Sequence, residues 1–223
     1  MEYILELSKQ NLALSQFEAM EHLGITKSKI SENFLIIDIN NFKESLIKDL
    51  AYTHNAYLVL FECSEDKLKL EESIAKYDWQ KHYKKNFCIR CINMDHDLEK
   101  MFASLIWKRL KKPKVNLTSP LTQYVFIKID SRVYATVLAW ENKKEELGRK
   151  AHLKPELHPS SLDPRLAKAC VNIGVGTKKN AYVLDPFCGV GGILIEAGLM
   201  GHKAIGYDID EVMARKAVIN LEN

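Results

Sequence analysis

The stretch that most constrains the fold runs from Leu184 to Asp210, LDPFCGVGGILIEAGLMGHKAIGYDID. A short apolar strand ends in Asp185, a glycine-rich turn and an apolar helix follow, and a second strand ends in Asp208. This order predicts a parallel β-α-β unit, the opening of a doubly wound sheet. Ligands of such sheets bind beyond the carboxyl ends of the strands, where both acids lie.

The residues around the glycines distinguish between classes of ligand. A dinucleotide fingerprint would need glycine at position 194, which is Leu194, and the Gly-Lys-Ser/Thr of a phosphate loop is absent. Asp185 would repel a pyrophosphate but suits the cationic amino acid portion of S-adenosylmethionine. Asp208 can accept hydrogen bonds from ribose hydroxyls, and Gly189 and Gly191 let the backbone turn sharply and approach a ligand. The alternative is a glycine-rich turn that holds no ligand.

Residues 1–140 alternate between strand-like and helix-like patterns and predict an α+β region. Ser15 is predicted to cap a helix that stops at Gly24, and the apolar face of DLEKMFASLIWKRLKK predicts a buried helix that ends at Pro113. YVFIKI and RVYATVLAW predict a hairpin that turns at Asp130 and Ser131. Residues 141–159 are polar, contain two prolines and predict a linker, and residues 160–223 read as α-β-α-β-α.

The positive charge is concentrated before the glycine-rich segment. Residues 76–114 contain eleven basic and four acidic residues, whereas residues 151–223 contain eight of each. A local excess of this kind fits a polyanionic partner such as nucleic acid. The alternative is a solvated helix face whose cations match the dipole of the helix C-terminus.

Cysteine usage and hydropathy bear on location. Five scattered cysteines favour reduced thiols and a cytoplasmic protein, and no apolar run is long enough to predict a membrane span. Cys88 and Cys91 lie three apart on a predicted strand, so their side chains point to opposite faces. We therefore expect buried thiols and no metal site.

Six segments along the whole chain resemble one family of proteins, and the first of them is YILELSKQNLALSQFEAM near the N-terminus. DPFCGVGGILIEAGL with GYDID is similar to the cofactor motif and ribose-binding acid of class I methyltransferases, and most similar to archaeal and eukaryal tRNA guanosine-10 N2-methyltransferases. HPSSLDPRLAKACVNI resembles the segment before that motif, and NFCIRCI and KVNLTSP resemble THUMP-domain signatures. The resemblance implies a ferredoxin-like and THUMP RNA-binding region over 1–140, a linker over 141–159, and the first half of a Rossmann-like methyltransferase domain over 160–223.

The resemblance also implies roles for individual residues. Residues implied to bind S-adenosylmethionine are Asp185, Pro186, Phe187, Cys188, Gly189, Gly191, Asp208 and His158. Residues assigned to tRNA binding are Lys84, Lys85, Arg90, Lys108, Arg109, Lys111 and Lys112.

The family also uses an Asp-Pro-Pro-Tyr type motif, which orients the poorly nucleophilic guanine amine. The Asp-Pro pairs of this sequence, at 163–164 and 185–186, are not followed by proline. No catalytic residue is therefore assigned, and we expect a second polypeptide to carry the motif. The alternatives are a truncated methyltransferase, one that acts on another RNA position, or a non-catalytic tRNA-binding subunit.

Overall fold

The computed structural model describes residues 1–39, 44–159 and 161–222 and divides into two compact units. The first comprises residues 1–6, 28–39 and 55–141, and the second comprises residues 7–27, 44–54, 142–159 and 161–222. The boundaries expected at 140 and 160 remain a prediction. Ser160 and Asn223, the first and last residues of the expected methyltransferase region, lie outside the described residues.

A seven-stranded mixed sheet makes up most of the first unit. Its spatial order is β2-β3-β1-β4-β7-β6-β5. The strands are β1 (Glu2–Leu7), β2 (Ser28–Ser31), β3 (Phe34–Asp38), β4 (Thr53–Ser64), β5 (Phe87–Ile92), β6 (Thr122–Ile129) and β7 (Arg132–Glu141).

The predicted hairpin is confirmed. Strands β6 and β7 pair antiparallel from Tyr124↔Val137 to Ile129↔Arg132, and Asp130 in the turn has a φ of 53°. Strand β5 pairs parallel with β6, and the connection between them carries helix α4 (Asp97–Trp107).

Helices α3 (Lys67–Lys76) and α4 supply apolar side chains to a core that includes Trp79, Phe102, Ile106 and Phe126. The predicted buried face of α4 is confirmed, but the predicted end at Pro113 is wrong. The α-helix ends at Trp107, because the backbone hydrogen bonds there change to a tighter turn of three residues. The Arg109 amide donates to the Ile106 carbonyl at 2.9 Å. This turn returns Leu110 to the core.

The thiols of Cys88 and Cys91 are buried in β5, as expected of core residues. Among the described residues, no three potential ligands of the His, Cys, Asp or Glu type come together around a metal position. In that same part of the chain, no helix combines the length and apolarity needed to span a bilayer.

The second unit contains the predicted α-β-α-β-α series. Its members are α5 (Pro164–Val175), β8 (Tyr182–Asp185), α6 (Gly192–Leu199), β9 (Lys203–Gly206) and α7 (Glu211–Leu221). Strands β8 and β9 pair parallel, with Asp185 opposite Gly206. Helix α5 begins as the residues dictate: Asp163 caps it by accepting from the amides of Arg165 and Leu166, and Pro164 occupies the first turn.

Helix α1 (Leu12–Leu23) also belongs to the second unit, and α2 (Glu44–Ile47) follows in the chain. The predicted stop at Gly24 is confirmed, with a left-handed φ of 65°. The predicted cap at Ser15 is wrong, because Asn11 caps the helix by accepting from the Leu14 amide. Ser15 is buried inside the helix, where its hydroxyl donates to the carbonyls of Asn11 and Ser8.

The polar segment expected to be a linker makes specific contacts in the second unit. It forms two short 3₁₀ helices, Glu145–Arg149 and Ala151–Leu153. The guanidinium of Arg149 bridges both carboxylate oxygens of the buried Glu196 on α6, at 2.7 and 2.8 Å. Glu156 exchanges two hydrogen bonds with the Asn220 side chain on α7.

Candidate cofactor cleft and basic surface

The loop between β8 and α6 is held by the adjacent strand end. The Tyr207 amide donates to the Asp185 carbonyl at 2.9 Å, and the Cys188 amide donates to the Tyr207 carbonyl at 2.8 Å. These bonds continue the parallel ladder beyond the strands. The two predicted acids, Asp185 and Asp208, are thereby placed at neighbouring carboxyl ends.

Asp208 links the glycine loop to the start of α7. Its Oδ2 accepts from the Gly189 amide at 2.7 Å and its Oδ1 accepts from the Asp210 amide at 3.0 Å. Hydrogen bonds from the backbone amides of Asp210 and Gly189 hold the pKa of Asp208 below its usual value. An exposed ionised carboxylate has about four lone-pair positions, so it can still accept from a ligand.

A cleft of about 430 Å³ opens at this end of the two-stranded sheet. The predicted residues His158, Asp185, Phe187, Cys188, Gly189 and Asp208 line it, whereas Pro186 and Gly191 do not. The ring of Phe187 is 84% exposed and offers an apolar face at its rim.

The two predicted glycines stand in different environments. Both have positive φ, 52° at Gly189 and 85° at Gly191. A Cβ added to Gly189 would meet nothing within 4 Å, so the cleft is open at that point. A Cβ added to Gly191 would lie 3.3 Å from the Cβ of Ala217, so this glycine allows α6 to approach α7.

Sequence reasoning missed half of the lining. The other lining residues are Ser161, Leu162, Val190, Gly192, Ile193 and Met213. Gly192 and Ile193 follow the glycine motif directly, so their position in the motif could have identified them. Ser161 and Leu162 belong to HPSSLDPRLAKACVNI, so the resemblance of that segment could have identified them. Met213 reaches the cleft through tertiary packing, for which the local sequence carries no signal.

The predicted RNA-binding cations lie in the first unit on two segments of the chain. The hydroxyl of one tyrosine, Tyr83, forms hydrogen bonds with both segments. The Tyr83 hydroxyl donates to the Lys85 carbonyl at 2.6 Å and accepts from the Lys114 amide at 3.0 Å. Six predicted cations have exposed side chains with no ion-pair partner among the described residues: Lys84, Lys85, Lys108, Arg109, Lys111 and Lys112.

Arg90, the seventh predicted cation, has internal partners. Its guanidinium donates to the carbonyls of Ile89 and Leu117, each at 3.0 Å, and lies 3.8 Å from the Glu99 carboxylate. Arg90 therefore holds the loop that leads into β6.

Comparison with known proteins identifies a family model and solved structures that are similar to this chain. A family described as RMKL-like, methyltransferase domain, matches residues 151–223. The crystal structure of TrmN from Thermus thermophilus is similar in fold, with a TM-score of 0.61 at 19% identity over 97% of this chain and 68% of that one. The crystal structure of SMU.472 complexed with SAH has a TM-score of 0.55 at 11% identity over 99% of this chain and 71% of that one.

Two curated relatives are more similar in sequence. The tRNA (guanine(10)-N2)-dimethyltransferase of Methanothermobacter thermautotrophicus is 33% identical over 235 residues, which cover all of this chain and 69% of the relative. The protein of the same description from Pyrococcus abyssi is 32% identical over 216 residues, 94% of this chain and 64% of the relative. The chain thus spans about two thirds of their length, and it belongs to the tRNA (guanine(10)-N2)-dimethyltransferase family.

Proposed function

We propose that this chain provides the cofactor-binding and tRNA-binding parts of a methyltransferase that modifies the exocyclic N2 of a tRNA guanine, at position 10. The observation that carries the proposal is the cleft at the carboxyl ends of β8 and β9, with Asp185, Gly189 and Asp208 in its lining. The assignment of the first unit to ferredoxin-like and THUMP domains, the half-Rossmann description of the second, and a cytoplasmic location belong to the same proposal.

S-adenosylmethionine is the cofactor of this methyltransferase domain. It supplies an electrophilic methyl group on a cationic sulfur. The residues present fit it: two carboxylates face its positive charges and ribose hydroxyls, and Gly189 leaves space where a side chain would stand.

Each lining residue acts through its own chemistry. Asp208 is ionised at neutral pH and would accept hydrogen bonds from the ribose, while its Oδ2 continues to hold the Gly189 amide. Asp185 attracts the ammonium of the methionine portion. Phe187 offers an apolar ring to the adenine, and Leu162, Ile193 and Met213 exclude water from the remaining wall.

The six predicted cations that have no ion-pair partner among the described residues would bind tRNA phosphates. Their backbone is held by side chains, since Gln80 accepts from the Lys111 amide at 2.9 Å and Tyr83 joins the neighbouring segments. A lysine cluster fixed in this way loses little conformational freedom on binding and contacts RNA without reading its sequence.

In the family that this chain resembles, an Asp-Pro-Pro-Tyr type motif orients the guanine amine, and that motif does not occur within residues 1–223. We include in the proposal a second polypeptide with an Asp-Pro-Pro-Tyr type motif. The exposed apolar side chains of the two-stranded sheet support this part of the proposal. Tyr182 is 71% exposed, Leu184 is 62% exposed and Ile205 is 47% exposed. Such a surface favours a covering segment.

The second polypeptide is tested by capture of this chain from native extract and mass spectrometry of what co-purifies. Recovery of a protein with that motif, and methylation of guanine 10 by the pair, would support the proposal. Capture of tRNA alone would favour a binding-only subunit, and a different methylated nucleotide would redirect the activity to another RNA position.

The cofactor role is tested with Asp208→Asn. We expect the affinity for S-adenosylhomocysteine to fall about tenfold, because a neutral amide replaces a charged acceptor, while tRNA affinity stays unchanged. Because the pKa of the folded Asp208 is lowered, its carboxylate is ionised above the ordinary aspartate range. Protonation of Asp208 should therefore not affect the affinity of the wild type for S-adenosylhomocysteine between about pH 8 and 5. The affinity should fall only in more acidic solution, where the carboxylate becomes protonated.

Isothermal titration calorimetry measures both effects, with the melting temperature as a check on folding. Equal affinities of wild type and variant would remove Asp208 from the proposed site.

A further inference from the structure

Lys154 lies beside the cofactor cleft although it was not among the predicted residues. Its Nζ is 3.9 Å from the position that a Cβ on Gly192 would occupy, and the Leu162 Cβ is 3.8 Å from the same point. Gly192 and Leu162 both line the cleft, and Gly192 is the first residue of α6. The ammonium therefore lies next to Gly192, just outside the lining of the cofactor cleft and near the positive end of the α6 dipole.

The half-buried ammonium has no acceptor within hydrogen-bonding distance among the described residues. Glu196 is the nearby acid that attracts it, but both Glu196 oxygens already accept from Arg149. Burial lowers the pKa of Lys154, since its charged form loses contact with water. A partly desolvated cation gains free energy when an anion binds it.

The cleft itself offers little to an anion. Among its described lining residues, two side chains are acids, and no lysine or arginine is present. S-adenosylmethionine carries a carboxylate beside its ammonium, and neither Asp185 nor Asp208 can bind that group. Lys154 is a cation just outside the lining, and its ammonium can donate a charge-assisted hydrogen bond to a carboxylate.

Lys154 also borders a neighbouring cleft of about 500 Å³, whose walls include Leu153, Ile195 and Leu199. Its other cation, Arg149, is neutralised by Glu196. Mainly apolar walls give that cleft no further partner for an anion, so the observations favour the side that faces Gly192.

We propose that Lys154 binds the carboxylate of the methionine portion of S-adenosylmethionine. The proposal rests on the proposed function, because it assigns one more contact to the same cofactor. It makes Lys154 a binding residue with a defined target group. Loss of its charge should therefore affect only ligands that carry the carboxylate.

The test compares two ligands by calorimetry on the whole chain. S-adenosylhomocysteine carries the carboxylate, whereas 5′-deoxy-5′-methylthioadenosine keeps the adenosine and the sulfur but lacks the amino acid. We expect Lys154→Met to weaken S-adenosylhomocysteine about tenfold, as for loss of a charge-assisted hydrogen bond. Methylthioadenosine should change less than about twofold on the same scale.

Lys150→Met is the matched control, because Lys150 is an exposed lysine of the same segment. It should leave both affinities unchanged, and Lys154→Arg should retain S-adenosylhomocysteine binding. If Lys154→Met does not fold, Lys154→Gln carries the same expectation.

Equal weakening of both ligands, or unchanged S-adenosylhomocysteine affinity, would overturn the role of Lys154 alone. A wild-type chain that binds neither ligand, both alone and together with the proposed second polypeptide, would overturn the proposed cofactor function, and the role of Lys154 with it. The two failures are therefore distinguishable.

Discussion

At the scale of single residues, two glycines of one motif have different physical reasons to be glycine. Gly189 borders open space in the cleft, whereas Gly191 lies against Ala217 of α7. Both adopt positive φ, so any side chain at either position costs about 1–2 kcal/mol of backbone strain. Only at Gly191 does an added methyl group also meet packed atoms, because its Cβ would lie 3.3 Å from the Ala217 Cβ and Ala217 would have to move slightly.

We predict that Gly191→Ala lowers the free energy of unfolding more than Gly189→Ala does. The extra loss should be about 1–3 kcal/mol, typical of overpacking. Gly189→Ala should instead reduce S-adenosylhomocysteine affinity, because its methyl group projects towards the cleft. Chemical denaturation and calorimetry on the same samples measure the two effects, and the reverse ranking in stability would contradict the assignment.

At the scale of elements, a buried carboxylate ties α1 to α5 within the second unit. Glu18 accepts from the amides of Ala51 and Tyr52 at 2.7 and 2.9 Å, and from the Asn172 side chain at 2.6 Å. Asn172 in turn donates to the Asp49 carbonyl. Helix α5, which precedes β8, is therefore fixed by residues from far earlier in the chain.

We predict that Glu18→Ala destabilises the second unit by about 2–4 kcal/mol, because buried neutral donors that lose their acceptor cost about 1–3 kcal/mol. Its three donors would lose their acceptor inside the protein. Glu21→Ala is the control, since Glu21 is exposed on the same helix and should change stability little. Similar melting temperatures for the two variants would contradict the role of Glu18.

The pH dependence of stability gives an independent measure of Glu18. Burial raises its pKa in the folded chain. Between the unfolded value, 4.5, and the raised folded value, the folded state binds more protons, so stability rises as pH falls through that interval. Glu18→Gln should lack this increment, and equal pH profiles for variant and wild type would contradict it.

At the scale of the whole molecule, the distribution of charge matters more than its sum. The net charge is only +3, yet the segment 76–114 has seven excess positive charges and residues 151–223 have none. Tyr83 and Gln80 hold the lysine-bearing backbone of the first unit. The second unit carries the acids of the cofactor cleft. RNA affinity should therefore be a property of the first unit.

We predict that replacing Lys111 and Lys112 by glutamine weakens tRNA binding and makes its salt dependence shallower. The slope of log affinity against log salt should fall by about 1.5, because each phosphate that loses its cation accounts for roughly 0.7–0.9. Lys67 and Lys69 on α3 are the matched pair, because both are exposed in the same unit. Filter binding over a range of salt concentrations measures the slope. Equal slopes for the two double variants would mean that Lys111 and Lys112 do not contact tRNA phosphates. These lysines would then be solvated cations that only complement the dipole of α4.

The sequence by itself determined what depends on neighbours along the chain. The β-α-β order around Asp185 and Asp208, the hairpin at Asp130, the buried face of α4 and the stop at Gly24 all follow from local periodicity and turn chemistry. Tertiary structure decided which potential partners meet. It bound Arg90 to the carbonyl of Leu117 in its own loop, 27 residues later in the chain.

Tertiary structure also gave the polar segment 142–159 its contacts with α6 and α7, and set Lys154 beside Gly192. These outcomes join residues tens of positions apart. Their free energy arises from burial and from hydrogen bonds between distant segments, which no local pattern encodes.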